Sequence, residues 1–284
     1  MKSFCKRSKV QIISPETFKN NTLLEKLNLG LNLFTGIGTD DVEEVNEKYN
    51  FSNVIPGDAF EKLENLKLLN FGFSKITFVG SNAFRGLKNL DRLNIEFNQL
   101  TDLTGHTFEH LTSVKVINLH GNHLESIGSD VFEGNSLLEK IDFAKNKLKW
   151  LPSGLFKNCK HLTELNFERN QIDKIANLHI NHLSNLHILD LTFNRIGNIL
   201  NLGLNCRLIG FSVSISMADF GTHLSKLQML KLSKNEITTV VDEAFSKLTR
   251  LSQLDLSYNR LRVSSKISLV LIIEATKRSS TDAC

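Results

Sequence analysis

The chain has 284 residues, more than one compact core usually serves, yet no shift in composition marks a domain break. Hydrophobic residues at 41% and charged residues at 23% are ordinary for a folded soluble protein, which argues against a low-complexity or disordered chain. The formal net charge of +4 is mild, and no block of like charge offers a patch for nucleic acid or a membrane surface.

Taken from the start, Met1-Lys2-Ser3-Phe4-Cys5-Lys6-Arg7 is basic but no apolar stretch follows, so it does not read as a signal peptide. Val10, Ile13 and Phe18 then fall where the second half of a repeat would place its apolar residues, so the chain opens in mid-coil. Leu24, Leu27, Leu29, Asn32 and Phe34 make a good phrase in a coil shortened to 18 residues. Val42, Val45, Asn50 and Phe60 trace a degenerate repeat, with Glu47 and Ser52 at apolar positions.

From Leu66 the rhythm is clear. Repeats open at Leu66, Leu90, Val114, Leu138, Leu162 and Leu186, each 24 residues after the last, and again at Leu227 and Leu251. With the opening residue as position 1, positions 1, 4, 6 and 11 are apolar, position 9 is Asn and position 19 tends to be Phe. A fixed period in the twenties signals a solenoid, whose core lengthens without thickening. Alternation about positions 4 and 6 predicts a short strand in each coil, with the strands of successive coils paired in parallel along a concave face. The turn leaving each strand would bury backbone N–H and C=O groups. A ladder of Asn32, Asn50, Asn98, Asn122, Asn146, Asn170, Asn194, Asn235 and Asn259 would satisfy them, with Ser74 a partial substitute. Phe84, Phe108, Phe132, Phe156 and Phe245 would fill the opposite half of the core. From Leu186 to Leu227 is 41 residues, one repeat plus 17, so residues 203–226 are expected to form an irregular, shortened coil.

These phrases, L-x-x-L-x-L-x-x-N-x-L with a later Phe, resemble the leucine-rich-repeat family and, more narrowly, its 24-residue type. The resemblance covers nearly the whole chain. It implies an α/β, mainly β, solenoid: a curved horseshoe with a concave parallel sheet and loops or short helices on the convex side. The solenoid is expected over residues 1–265, irregular near 38–65 and 203–226, with a tail at 266–284. In Toll-like receptor ectodomains, Slit-like and chaoptin-like adhesion proteins this repeat type implies protein recognition outside the cell, in immunity, adhesion or development. The cysteine-rich caps usual in such proteins are not visible, which reads as a fragment of a longer protein.

The default binding surface is the set of concave positions 2, 3, 5, 7 and 8. Phe73 and Phe97, one coil apart beside His120 and a bare glycine, Gly121, form an aromatic pair that could anchor a partner. Arg92, Glu96, Lys145, Glu168 and Arg169 supply a mixed-charge stripe, and Phe193 and Tyr258 continue position 8. The recurrent Asn or Asp at position 5 is better explained by repeat consensus than by a cation. His179, His182 and His187 have ligand-like spacing, but the register puts them on different sides of a coil, and zinc needs converging ligands. Cys159 and Cys206 would lie about 10 Å apart at ~5 Å per coil, too far for the ~7 Å a disulfide spans. Cys5 takes a buried leucine slot by register. Asn20, in Asn20-Asn21-Thr22, falls on an outer turn and is a glycosylation candidate, whereas the sequon at Asn50 falls on the ladder. No phosphate-cradling loop, nucleophile elbow or metal motif is present, and the apolar run at Leu269–Ile273 is far short of the ~20 residues needed to span a bilayer.

The expected function is therefore non-enzymatic: a secreted or cell-surface recognition module binding a protein ligand on its concave face, with an intracellular scaffold as the alternative. No cofactor, metal or nucleic acid is expected. The expected partner is a protein, a second copy of the chain being one candidate.

Overall fold

The computed structural model describes residues 2–4, 13–32, 53–80, 82–197, 222–238, 240 and 244–261. The expectations for Cys5, Asn50, Cys206 and the tail at 266–284 lie outside the described residues. Strands are short, numbered here in chain order: β1 (Lys2–Phe4), β2 (Lys26–Asn28), β3 (Val54–Ile55), β4 (Leu68–Asn70), β5 (Phe78–Val79), β6 (Arg92–Asn94) and β7 (Asp102–Leu103). They continue as β8 (Val116–Asn118), β9 (Ser126–Ile127), β10 (Lys140–Asp142), β11 (Glu164–Asn166), β12 (Ile188–Asp190), β13 (Met229–Lys231) and β14 (Gln253–Asp255). The helical elements described are single 3-10 turns, such as Pro15–Phe18 and Ile175–Leu178. The fold is a mainly β, parallel-strand solenoid. No described helix is long and apolar enough to cross a membrane.

The chain forms two compact units, Met1–Lys147 with Gly154–Leu162, and Leu148–Ser153 with Thr163–Cys284. In the first, β1, β2, β4, β6, β8 and β10 pair in parallel in that order, and β3–β5 and β7–β9 pair on the return half of the coils. In the second, β11, β12, β13 and β14 pair in parallel. Register follows the repeat: Arg92, Leu93 and Asn94 sit opposite Val116, Ile117 and Asn118, positions 3 to 5 of successive coils. The coil expected to begin before Met1 contributes its strand as β1, paired with β2.

The degenerate coil expected from Val42 and the irregular one over 203–226 fall largely outside the described residues. β2 pairs directly with β4, Leu27 opposite Leu69. Ser74 Oγ donates to Leu29 O of the β2 coil at 3.3 Å. Phe60 is nonetheless in the core, stacked on Phe18 at 5.9 Å. β12 likewise pairs directly with β13, and Ile196 N donates to Asn235 Oδ1 at 3.0 Å.

Position 4 and 6 side chains are buried, Leu69 and Phe71 or Leu93 and Ile95 for instance, because alternation turns both inward. On the return side Phe84, Phe108, Phe132 and Phe156 form a column of stacked rings with centroids 5.7 to 6.0 Å apart. The asparagines join one coil to the next. Asn122 Nδ2 donates to Leu119 O of its own coil at 3.0 Å and to Ile95 O of the preceding one at 2.9 Å, while its Oδ1 accepts from Leu100 N at 3.2 Å. Asn98, Asn194 and Asn235 repeat this three-way pattern.

Candidate functional site

The position 5 row explains itself first. Asn70, Asn94, Asn118, Asp142, Asn166, Asp190 and Asp255 each accept a hydrogen bond on Oδ1 from the backbone N–H two residues on, at 2.8 to 3.0 Å. This is an Asx turn, which bends the chain out of the strand and needs a short side chain carrying an acceptor. Consensus is thus a structural demand. Lys231 is the exception: it cannot accept, and instead its Nζ donates to Asp190 Oδ2 at 2.9 Å. That bond holds the Lys231 pKa up against partial burial.

The bend ends at position 8 in the left-handed region. Leu31, Phe73, Phe97, Gly121, Lys145, Arg169, Phe193, Lys234 and Tyr258 all have φ between 50° and 69°. Only Gly121 adopts this conformation without steric cost. The others project from the corner that follows each strand, and within each unit successive coils bring them into a row.

In the first unit the row is aromatic. Phe73 and Phe97 stack with centroids 4.5 Å apart and planes 16° from parallel, and they remain 49% and 37% exposed. Gly121 makes room for the second ring: a Cβ there would lie 2.7 Å from Phe97 Cδ1. His120 tilts against Phe97 at 4.9 Å, and the Lys145 ammonium stands 5.5 Å from its centroid, two coils away across the glycine. Glu96 lies beside the pair, its carboxylate held by the side-chain amides of Asn94 and Asn118, both at 3.1 Å. Arg92 is spent on its neighbour Asp91, Nε to Oδ2 3.5 Å.

In the second unit the row alternates cation and ring. The Arg169 guanidinium and the Lys234 ammonium each lie 4.2 Å from the Phe193 centroid, and Lys234 is also 5.2 Å from Tyr258. Arg169 Nε donates to Glu168 Oε1 at 3.0 Å. Of the residues expected in the site, the structure therefore gathers Phe73, Glu96, Phe97, His120 and Lys145 in one unit, and Glu168, Arg169, Phe193 and Tyr258 in the other. Lys234 belongs to the position 8 series without having been singled out, and Asn94 and Asn118 look like consensus until their spare N–H groups are followed to Glu96.

Elsewhere, Asn20 is exposed on its turn. His187 Nδ1 lies 2.6 Å from Asn185 O, within its own loop. Cys159 is a free thiol, buried, with its pKa pushed up to about 12 by that burial.

Comparison with known proteins agrees with this fold. A model of the BspA-type leucine-rich-repeat region matches residues 53–187 in 6 copies, and a second leucine-rich-repeat model matches residues 214–261, together more than half of the chain. The structure is similar to a chain of the glycosylated Toll–Spatzle complex of Drosophila, with a TM-score of 0.71 and 20% identity over 93% of this chain and 31% of that one. It is also similar to the leucine-rich-repeat domain of APL1B, with a TM-score of 0.65 and 18% identity over 89% of this chain and 62% of that one. The chain thus spans less than two thirds of either structure. At such identities the likeness shows the fold alone. No curated protein matches the chain in sequence.

Proposed function

The chain belongs to the leucine-rich-repeat family, and from that premise we propose that it is a non-enzymatic recognition module that binds a protein ligand along its strand face and the position 8 corner. The observation that carries this is the exposed, stacked Phe73–Phe97 pair in left-handed backbone. Neither ring fills the core, and either would be replaced by glycine at lower steric cost if the turn alone mattered. Large rigid aromatics in exposed positions on a stiff frame are what hot spots are made of. The finer reading is a secreted or cell-surface receptor or adhesion protein, supported by the 24-residue repeat type and by the exposed Asn20 sequon.

The test is photocrosslinking of the full chain in the fluid or on the cells that express it, with benzoylphenylalanine at Phe97 or, as control, at the exposed return-side Lys157. Discrete protein adducts from position 97 and not from position 157 are expected. Adducts from position 157 alone would sink the proposal. For location, removal of N-glycans should shift the native protein on a denaturing gel, and Asn20→Gln should abolish that shift; an unshifted protein argues for an intracellular module.

A further inference from the structure

We propose that Glu96 and the Phe73–Phe97 pair together form a receptor for one basic side chain, a lysine or arginine presented by the protein partner; this rests on the recognition reading above. Glu96 directly precedes Phe97, and Phe73 N donates to Glu96 O at 2.9 Å, so carboxylate and rings lie side by side on adjacent coils. The carboxylate is placed by its surroundings. Gly72 leaves space for it: a Cβ on Gly72 would come within 3.2 Å of Glu96 Cγ. Asn94 Nδ2 donates to Oε1 and Asn118 Nδ2 to Oε2, each at 3.1 Å.

Both of those donors are neutral. They orient the charge without compensating it, and each oxygen keeps a further lone pair able to accept. Among the described residues Glu96 makes no ion pair, and the basic side chains of the same face are engaged elsewhere. Arg92 faces Asp91, His120 Nδ1 lies 3.9 Å from Asp142 Oδ2, and Lys145 is held over the Phe97 ring. A half-buried carboxylate fixed by two amides and lacking a counter-ion is complementary to a cation brought from outside. The rings say which kind. A lysine or arginine lays its apolar stem on aromatic surface and gains from the ring quadrupole, whereas a bare metal ion would gain from neither and finds a single carboxylate.

The probe is a displayed library of random peptides selected on the full chain, then re-measured on Phe97→Gly, Glu96→Gln and Glu96→Asp variants whose thermal midpoints match the parent. Peptides lost with Phe97→Gly are expected to share a lysine or arginine. Their Kd should weaken at least about tenfold with Glu96→Gln and less with Glu96→Asp, and replacing the basic residue by norleucine should abolish the difference between parent and Glu96→Gln. If such peptides lack a basic residue, or ignore Glu96→Gln, the basic-side-chain proposal is overturned and the recognition reading stands. If no selected peptide responds to Phe97→Gly, both fail.

Discussion

At position 8 the cost of a left-handed backbone falls on whichever side chain the sequence supplies, and at Phe97 that cost separates two substitutions that remove the same ring. Phe97→Gly relieves the steric conflict of Cβ, while Phe97→Ala keeps it and gives nothing back. Phe97→Gly should therefore be the more stable of the two by about 1 kcal/mol in urea denaturation. Equal midpoints would mean that the corner can relax, and the strain argument would fail. Position 9 is less forgiving. Asn122→Ala leaves the buried Leu100 N without its acceptor, while Ile95 O and Leu119 O each lose one donor and keep another, Asn98 Nδ2 and Asn146 Nδ2. Leaving one such group unpaired costs about 1–3 kcal/mol, so a loss in that range is expected. Asn122→Ser should lose less, because at Ser74 a hydroxyl already reaches Leu29 O and Gly72 O. A loss below about 1 kcal/mol for the alanine variant would show that the ladder is decorative.

A single coil is half strand and half return, and the return is held by rings. Phe108 is fully buried and stacked on Phe84 and Phe132, so Phe108→Ala should cost about 3–5 kcal/mol. A smaller effect, about that of an exposed residue, would show that the column packs loosely. At this scale the sequence was legible wherever one residue type answers one need: leucines at 4 and 6 for alternation, asparagine at 9 for orphaned backbone, phenylalanine at 19 for the wide part of the core. It was ambiguous where spacing alone was counted. An interval of 42 residues from Leu24 to Leu66 fits an extra degenerate coil as well as one long coil, and Leu27 pairs directly with Leu69 across it. The left-handed corner was illegible for a different reason. Its usual markers are glycine and asparagine, yet here the positions hold Phe, Lys, Arg and Tyr, whose stacking with neighbours offsets part of the strain. The Glu96 site was half visible, because a charge and two aromatics can be read off a repeat but the amides that aim the carboxylate cannot.

For the molecule as a whole, the second unit's row Asp190, Lys231 and Asp255 ties stability to pH at both ends of the scale. Most other ion pairs, such as Lys147–Glu125 and Lys157–Glu133, are exposed and contribute little. Lys231 has a pKa raised above its ordinary 10.5, chiefly by its hydrogen bond to Asp190. Its contribution is therefore complete below pH 10.5 and is lost as pH rises through the higher folded value. Asp255 is the opposite case. Burial alone would raise its carboxyl above 3.8, but hydrogen bonds from Ser257 and Ser233 and the Lys231 charge outweigh burial and lower it. That contribution is present above pH 3.8 and disappears as pH falls through the lower folded value. Thermal unfolding followed by circular dichroism should place Lys231→Met below the parent at neutral pH, because Asp190, which is nearly buried, loses its cation. The two curves should converge only above pH 10.5, and Asp255→Asn should approach the parent only below pH 3.8. Convergence of the Lys231→Met curve near neutral pH would mean that the Asp190–Lys231 pair contributes nothing to the fold, and that lysine at position 5 is merely tolerated.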